Sequence, residues 1–439
     1  MNASTIADLD TPTSLYLKLR DLRPVFLLES VTHGEKVGRY SFIGLDPVRK
    51  LEYRGEGGLR NLIQRELEAL RGPASHALCG GLVGAIAYEN VHELLPTGIK
   101  PRGRSDQPLA SFVAPRAVVV FDHAQRRLSI AHREGDAAAQ TMLQQVRAAM
   151  LRPLPELPRG GKASEPRPTL SEAEFCARVE RAREYIRAGD IFQVVLSLAF
   201  EGETSLHPYQ VYRALRHLNP SPYLYYLDFG STQVIGSSPE ALLKLEEGEL
   251  TVRPIAGTRP RGATEAEDQA LEAELRADPK ENAEHNMLVD LGRNDIGRVA
   301  RVGSVQVPQL RVVERYSHVM HLCSTVTGRL GEHAPLDAFA AAFPAGTVSG
   351  APKIRALQVI DELEPAPRGF YAGSVGYFTA AGDFDQAICI RTIVMNNGRY
   401  SAQAGAGIVA DSVPAAEYQE ICNKAAALLK ALRFAQEEL

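Results

Sequence analysis

The sequence predicts a mixed α/β fold, and three observations lead to that prediction. Runs of β-branched and aromatic residues recur along the 439-residue chain, as strands require. Segments with apolar residues spaced for one helix face lie between these runs. No internal repeat or low-complexity tract interrupts the alternation, which is typical of α/β chains. The pattern leaves the order of the strands open.

The first third of the chain contains three strand-like segments and one clear helix. Residues 24–30, 38–44 and 117–133 are predicted as strands, the last of them as a hairpin. The apolar positions of the helix share a single face: Leu59, Leu62, Ile63, Leu67 and Leu70. Segment 152–170 is rich in Pro, Gly and charge, as an extended connector is. We therefore expect a region 1–151, a linker 152–170 and a region 171–439.

The second region begins with a helix whose two ends are marked in the sequence. Ser171 and Glu174 form a capping-box pattern, and Gly189 stands where the helix should end. The predicted strands that follow are 190–200, 223–229, 319–327, 371–379 and 386–395, and the predicted helices are 280–291, 351–363 and 414–433. Asn396-Asn397-Gly398 predicts a hairpin turn after the last strand.

The charge and composition of the chain are those of an ordinary globular protein. Lys and Arg total 49 against 53 Asp and Glu, and no basic cluster of the kind that binds nucleic acid is present. No apolar run is long enough for a membrane span, and the N-terminus lacks the pattern of a signal peptide. The five cysteines are widely spaced, which argues against a disulfide framework or a zinc site. We expect a cytoplasmic protein whose partners are small molecules or other proteins.

Three glycine-containing segments of the second region are predicted as turns: 254–262, 343–353 and 403–409. Such turns can present backbone N–H groups to a carboxylate or phosphate, although glycine turns also simply connect elements. None has the spacing of a P-loop or of a dinucleotide fingerprint. Nucleotide cofactors are therefore disfavoured.

Two predicted helices carry glutamates on one face. Glu281 and Glu284 lie one turn apart in the first, and Glu417, Glu420 and Lys424 share a face of the second. These residues form either solvated faces with an ion pair or, if the helices meet, a set of the oxygen ligands that Mg²⁺ prefers.

Two further polar residues are predicted inside strands. His321 falls on the same face as Val319 and Cys323, so it is either a core histidine or a group that transfers a proton near neutral pH. Arg391 is predicted in mid-strand among apolar neighbours, where a guanidinium requires an anionic partner. A protein carboxylate and a ligand are equally open as that partner.

Several segments together resemble the chorismate-utilising enzymes, and within them the large components of anthranilate synthases. In chain order they are LLES (27–30), GRYSFIG (38–44), DIFQVVLS (190–197), NPSPY (219–223), PIAGTRPRG (254–262), EHNMLVDLGRND (284–295), RYSHVMH (315–321), AGTVSGAPK (345–353), GFYAGSVGYF (369–378), IRT (390–392) and QAGAGIVADSVPAAEYQE (403–420). These segments span nearly the whole chain. The resemblance implies a fold of large, mostly antiparallel β-sheets that form a sandwich with helices packed outside, and it implies chorismate as the substrate.

The resemblance also implies roles for individual residues. Glu284 and Glu420 resemble ligands of Mg²⁺, the implied cofactor. His321 resembles the general acid–base group, with Glu240 a second candidate and Thr347 beside the ring of the substrate. The implied substrate-binding residues are Gly257, Thr258, Tyr371, Arg391, Gly405, Ala406, Gly407 and Lys424.

The implied reaction joins ammonia to chorismate and expels pyruvate to give anthranilate, and two positions favour it over related reactions. Relatives that use water carry a lysine at the position of Gln193, and glutamine cannot act as that base. Relatives that form aminodeoxychorismate carry a lysine at the position of Ala256. This folate-branch activity is the first alternative. A chorismate- or tryptophan-binding protein without turnover is the second.

The resemblance implies two further partners. LLES and NPSPY resemble a pocket for inhibitory tryptophan, and the ligand-side residues would be Glu29, Ser30, Pro222, Tyr223 and Leu224. No cysteine of the chain lies in the sequence context of a glutaminase nucleophile. Ammonia is therefore expected from solution or from a separate glutamine amidotransferase subunit.

Overall fold

A computed structural model describes residues 4–30, 38–100, 107–157, 159–315 and 319–439. Residues 316–318 of the RYSHVMH segment and residue 158 of the predicted linker lie outside these ranges. Within them, no helix combines the length and the apolar character needed to cross a membrane.

The described ranges contain eleven α-helices and twenty β-strands. The helices are α1 Pro12–Lys18, α2 Leu59–Leu70, α3 Val91–Leu94, α4 Ala137–Met150, α5 Glu172–Arg187, α6 Pro208–Leu218, α7 Glu265–Ala277, α8 Pro279–Gly297, α9 Pro335–Ala342, α10 Lys353–Leu363 and α11 Pro414–Glu437. The strands are β1 Thr5–Ile6, β2 Pro24–Glu29, β3 Tyr40–Tyr53, β4 Gly81–Ile86, β5 Ala110–Asp122, β6 Arg127–His132, β7 Arg167–Pro168, β8 Gln193–Glu203, β9 Tyr223–Asp228, β10 Thr232–Ser238, β11 Ala241–Glu246, β12 Glu249–Val252, β13 Ile255–Pro260, β14 Gln306–Arg315, β15 Val319–Arg329, β16 Gly350–Ala351, β17 Ser374–Thr379, β18 Phe384–Ile388, β19 Thr392–Asn396 and β20 Arg399–Ile408.

Local sequence signals explain where several of these elements begin and end. The Ser171 hydroxyl accepts a hydrogen bond from the Glu174 N–H, and the Glu174 carboxylate accepts one from the Ser171 N–H, so the capping box opens α5 as predicted. Gly189, with φ +84°, follows the end of that helix. Asn397 and Gly398 both have positive φ in the tight turn between β19 and β20. The predicted hairpin is thereby confirmed.

The strands pair antiparallel into two layers that share two long strands. The first layer runs β6-β5-β3-β2-β9-β10-β19-β20-β8. The second runs β3-β5-β4-β17-β18-β11-β12-β15, with β13 and β14 also paired to β15. The 14 residues of β3 and the 13 of β5 pass through both layers, so strands from both halves of the chain lie in each layer.

Successive residues of the central strands face opposite sides of the first layer, as strand geometry requires. Phe26 of β2 and Tyr225 of β9 point between the layers, where they pack with Val83 and Val375 of the second layer. The next residues, Leu27 and Tyr226, point outward beneath helices α1, α4, α6 and the C-terminal half of α11. The predicted sandwich of antiparallel sheets with outer helices is therefore confirmed.

One predicted strand, 386–395, is wrong in a way that matters for function. The chain forms β18 and β19 with a break at residues 389–391, and Arg391 has φ +52° in that break. Tyr371 likewise precedes β17, and its neighbour Ala372 has φ +62°. The apolar neighbours of Tyr371 and Arg391 are typical of a strand interior. At Ala372 and Arg391, however, the backbone adopts a left-handed conformation that non-glycine residues rarely take.

The segment 403–409 was predicted as a glycine turn and is instead the end of β20. Its glycines are required by space, since a Cβ on Gly405 would lie 2.5 Å from the Tyr371 hydroxyl and one on Gly407 would lie 2.5 Å from the Gln193 amide nitrogen. Segment 254–262 is also mostly strand, β13, with a bulge between Ala256 and Thr258 and φ +69° at Gly257. Two of the three glycine segments therefore bring other side chains close to a strand.

Candidate active site

The glutamates of α8 and α11 come close enough for their charges to interact. Partial desolvation raises the pKa of Glu284, and the carboxylates of Glu281 and Glu420 raise it further. Desolvation and the charge of Glu420 also raise the pKa of Glu417. The carboxylates of the two helices therefore repel one another, and the charges of Lys280 and Lys424 offset part of that repulsion.

Lys424 connects this carboxylate group to strand β20. Its ammonium nitrogen lies 2.5 Å from a carboxylate oxygen of Glu420 and donates a 3.0 Å hydrogen bond to the Gly405 carbonyl. The Tyr371 hydroxyl lies over the open face of Gly405. Ala406 points to the opposite, buried face of β20, so only its backbone can contribute to the site.

Arg391 and His321 continue the arrangement beyond Tyr371. Burial lowers the pKa of the Arg391 guanidinium, which lies close enough to Tyr371 and His321 for their charges to interact. Among the described residues, no carboxylate forms an ion pair with Arg391. The question left open by the sequence is therefore answered against a protein carboxylate in the described part of the chain.

His321 lies beside the bulge of β13. Its Nδ1 is 3.2 Å from the Gly257 carbonyl and 3.0 Å from the Thr258 hydroxyl. A carbonyl can only accept, so this contact favours the tautomer that carries the proton on Nδ1. Burial lowers the pKa of His321, and the charge of Arg391 lowers it further. The imidazole is therefore neutral near pH 7.

The contacts close into a ring at Gly257. A Cβ on Gly257 would lie 3.2 Å from a carboxylate oxygen of Glu281. Because Glu281 belongs to α8, the series of contacts that started at α8 also ends there. We name this set the ring: Gly257, Thr258, Glu281, Glu284, Gly405, Tyr371, Arg391, His321, Glu417, Glu420 and Lys424. It presents carboxylates on one side and a guanidinium with a neutral imidazole on the other.

Glu240 and Thr347 form a separate pair beside α8. The Thr347 hydroxyl donates a 3.1 Å hydrogen bond to Glu240, and both line a cavity of about 30 Å³ with Leu288 and Gly292 of α8. Burial raises the pKa of Glu240 to about 8. A carboxyl group that remains protonated near neutral pH is a candidate proton donor.

The two positions that discriminate among related reactions differ in their surroundings. Gln193 is 9% exposed, and its amide nitrogen lies against the open face of Gly407. Ala256 is 8% exposed and precedes the bulge of β13. Ala256 therefore lies on the strand that carries Gly257 and Thr258, whereas Gln193 lies on β8 and faces β20, the strand of Gly405.

The ring is suited to a divalent cation of the Mg²⁺ class by its donors and charges. Within the described ranges, no preformed cluster of three or more His, Cys, Asp or Glu suited to a metal ion is present. Mg²⁺ is commonly bound by one or two carboxylates, with waters and substrate oxygens completing its shell. Glu284 makes no ion pair with another described residue, and its pKa is raised first by desolvation and then by the charges of Glu281 and Glu420. The residues therefore fit the ion.

The residues expected around tryptophan meet across two neighbouring strands. Glu29 of β2 pairs in register with Leu224 of β9, and Ser30 and Pro222 lie at the adjoining strand ends. Glu29 is 4% exposed, and it accepts hydrogen bonds from Arg216 at 2.8 and 3.1 Å and another from Tyr212. The Tyr223 hydroxyl donates to Asp385 at 3.1 Å.

Sequence reasoning left three residues near these sites unassigned. Glu281 and Glu417 precede the assigned glutamates by three residues, so helical spacing alone places them on the same faces. Arg259 binds Glu274 and Asp278 at 2.8 Å and Glu281 at 3.5 Å. Its neighbours Gly257 and Thr258 were assigned, but no spacing rule shows that Arg259 reaches the start of α8.

Comparison with known proteins gives one consistent result. The sequence profile described as "chorismate binding enzyme" matches residues 23–430. Anthranilate synthase component 1 of Thermus thermophilus is 47% identical over 99% of this chain and 98% of its own length. The protein of the same name from Acetivibrio thermocellus is 44% identical over 98% of this chain and 94% of its own length.

Solved structures agree with the sequence comparison. The crystal structure of anthranilate synthase component I from Streptococcus pneumoniae superimposes with a TM-score of 0.80 at 38% identity, covering 91% of this chain and 94% of that one. The menaquinone-specific isochorismate synthase of Escherichia coli superimposes with a TM-score of 0.75 at 21% identity, covering 98% of this chain and 94% of that one. The second likeness extends to the fold alone.

Proposed function

The chain belongs to the family of chorismate binding enzymes, and from that premise we propose that it catalyses the anthranilate synthase reaction. This lyase reaction converts chorismate and ammonia, through 2-amino-2-deoxyisochorismate, to anthranilate and pyruvate, and the ring hydroxyl of chorismate leaves as water. One observation carries the proposal. On one side the ring holds the carboxylates of Glu284, which forms no ion pair with a described residue, and of Glu420, which Lys424 pairs. On the other side it holds the guanidinium of Arg391, which pairs with no described carboxylate. Chorismate carries two carboxylates and needs this kind of arrangement.

The enolpyruvyl carboxylate is assigned to the guanidinium side of the ring. Arg391 supplies the charge, the Tyr371 hydroxyl lies beside it, and the strand backbone around Gly405 to Gly407 has no side chains on the same face. Binding there would compensate the buried guanidinium, whose pKa is lowered in the absence of an anion.

We assign the carboxylate on the six-membered ring of chorismate to the side of the site that carries the glutamates, where a bound cation would hold it. Glu284 and Glu420 would hold Mg²⁺, and Lys424 orients Glu420 from β20. When bound, Mg²⁺ supplies a Lewis acid that neutralises the substrate carboxylate. Gly257 and Thr258 of β13 would line the six-membered ring of chorismate.

His321 is assigned to proton transfer near the departing enolpyruvyl oxygen. Its lowered pKa keeps the imidazole neutral near pH 7, and the Gly257 carbonyl orients it through Nδ1. Glu240, with its pKa raised to about 8 and held by Thr347, is the second proton-transfer candidate.

The nucleophile is assigned as ammonia. The amide of Gln193 has no basic lone pair with which to deprotonate water, and it occupies the face of Gly407. The aminodeoxychorismate reaction is the alternative, and Ala256 opposes it because it supplies no amine at the position where those relatives carry lysine.

Two partners belong to the proposal. A glutamine amidotransferase subunit would supply ammonia from glutamine, as the designation "component 1" of the relatives implies. Tryptophan would act as a feedback inhibitor at Glu29, Ser30, Pro222, Tyr223 and Leu224, which adjoin across β2 and β9. We also propose 1–151 as the region that carries the first of these segments and 171–439 as the catalytic region.

The test is product identification with the purified chain. Chorismate, Mg²⁺ and ammonium at alkaline pH should yield fluorescent anthranilate and an equal amount of pyruvate, and omission of ammonium should stop both. Conversion of chorismate to aminodeoxychorismate or isochorismate under the same conditions would contradict the proposal. Because the chain contains no Trp, protein emission interferes little with the anthranilate signal.

A further inference from the structure

We propose that Ser237 couples the tryptophan-side segments to Arg391, so that tryptophan weakens chorismate binding through this residue. The inference rests on the function proposed above. It adds a positioning residue that touches neither ligand. Four consecutive contacts, each between described residues, carry it.

The first contacts join Glu29 to helix α6. Arg216 and Tyr212 both bind the Glu29 carboxylate, which is 1% exposed at its side chain. These two residues occupy the last turns of α6. A ligand that competes for the Glu29 charge therefore changes what holds the C-terminal end of that helix.

The next contact leaves α6 at its C-terminal cap. Asn219 caps the helix with its own N–H, and its carbonyl accepts a hydrogen bond from the Ser237 hydroxyl. Asn219 is also the first residue of the NPSPY segment, whose Pro222 and Tyr223 lie on the proposed tryptophan side. The residues that bind Glu29 and the NPSPY segment are therefore both connected to Ser237 through Asn219.

The last contact reaches the ring. The Ser237 N–H donates a 3.1 Å hydrogen bond to the Arg391 carbonyl. Arg391 has φ +52° in the break between β18 and β19, where the backbone conformation depends on such contacts. Ser237 is fully buried, so water cannot replace either bond.

A second contact from β9 supports the same break. The Tyr225 hydroxyl lies 2.5 Å from the Thr392 hydroxyl and 3.8 Å from the Cys389 sulfur. Tyr225 follows Tyr223 and Leu224 on β9. A shift of β9 would therefore move the residues on both sides of Arg391.

The experiment measures binding and coupling separately. Tryptophan binding is followed by the emission of the ligand itself, since the chain contains no Trp, and coupling by the chorismate KM with and without tryptophan. In the wild type we expect saturating tryptophan to raise the chorismate KM by about 10-fold or more. Ser237→Ala removes the hydroxyl and leaves the N–H bond to Arg391, so it should bind tryptophan while the KM changes by less than about 2-fold.

Ser238→Ala is the matched control. Ser238 is equally buried, and its hydroxyl bonds the Ile388 carbonyl at 2.7 Å without reaching the NPSPY segment. This variant should retain the full tryptophan effect. Tyr225→Phe tests the second contact, with a smaller expected loss of coupling, and Ser237→Cys, whose thiol is a weak donor, replaces Ser237→Ala if that protein does not fold.

The outcomes distinguish a failure of the proposed role of Ser237 from a failure of the proposed function. Undiminished coupling in Ser237→Ala, or in Ser237→Cys where that variant replaces it, would overturn the role of Ser237. An equal loss in Ser238→Ala would overturn it as well. No tryptophan binding by the wild type would instead refute the regulatory part of the proposed function. No anthranilate from the wild type would refute its catalytic part.

Discussion

Glu29 and Glu284 are both assigned to ligand binding, but only Glu29 forms an ion pair with another described residue of the protein. Glu29 is buried, and two donors of α6 already satisfy it. Glu284 is exposed at the rim of the ring and forms no ion pair with a described residue, and the charges of Lys280 and Lys424 only partly offset those of Glu281 and Glu420. The first carboxylate is compensated by the fold, whereas the second depends on what binds.

This difference separates a regulatory contact from a metal contact. A ligand at Glu29 must share or replace an existing ion pair, so its binding changes protein contacts elsewhere. A cation at Glu284 relieves repulsion that the folded chain already carries. The first arrangement suits a regulator and the second suits a cofactor.

The largest expected effect is loss of activity when the carboxylate side of the ring is weakened. Glu420→Gln should lower anthranilate formation by about 100- to 1,000-fold, because a bound cation contributes several kcal/mol at a reacting group. Glu437→Gln, at the exposed far end of the same helix, is the control and should remain near wild type. Near-normal turnover by Glu420→Gln would remove it from the metal site.

The next effect concerns stability and should appear only at the compensated carboxylate. Glu29→Gln leaves Arg216 without its partner, and because Arg216 is 31% exposed the cost should be about 2 kcal/mol, below that of a fully buried pair. Glu284→Gln removes like-charge repulsion and should leave the free energy of unfolding unchanged or raise it. Chemical denaturation of the three proteins checks this, and equal destabilisation by both variants would erase the contrast.

A substitution beside Glu29 should affect regulation without affecting the ring. Ser30→Phe fills the proposed pocket and should raise the tryptophan concentration for half-inhibition by about 10-fold, roughly the 1.4 kcal/mol of one lost side-chain contact. Activity without tryptophan should persist. Ser231→Phe, on the exposed turn after β9, controls for a bulky surface side chain. Unchanged sensitivity in Ser30→Phe would remove the assigned pocket.

The last effect is a pH dependence of stability at the buried carboxyl of Glu240, which should leave the contrast between Glu29 and Glu284 untouched. Because its pKa is raised to about 8 from an ordinary 4.5, the folded state keeps a proton that the unfolded state loses. Its contribution to stability is therefore complete below pH 4.5 and is lost as the pH rises through 8. Glu240→Gln has no such titration, so its free energy of unfolding should rise steadily relative to that of the wild type as the pH increases from 4.5 to 8. A difference that is constant with pH in denaturation experiments would contradict the assignment.

Much of the fold could be predicted because its signals are local. The capping box at Ser171, the turn at Asn397-Gly398 and the single apolar face of α2 each depend on residues within a few positions. The bends at Ala372 and Arg391 could not be predicted from local pattern, since contacts from distant strands hold them. Ser237 and Ser238 supply two of those contacts from β10.

The residue-by-residue assignments at the site came only from the resemblance, and they stay predictions. Spacing placed Glu281 with Glu284 and Glu417 with Glu420, but it did not show that α8 and α11 approach each other. The glycines of β20 were misread as a turn because their reason is steric, set by Tyr371 and Gln193 from other parts of the chain. Arg216 and Ser237 had no signal, because each acts through a contact that only the folded chain creates.

The most direct test of the contrast between Glu29 and Glu284 is a Mg²⁺ titration of anthranilate formation by the wild type, Glu284→Gln and Glu29→Gln. Glu284→Gln should raise the Mg²⁺ concentration for half-maximal activity by about 10-fold or more, and Glu29→Gln should leave it unchanged. An unchanged Mg²⁺ requirement in Glu284→Gln, or an equal shift in both variants, would contradict the assignment of the ring as the cation-dependent active site.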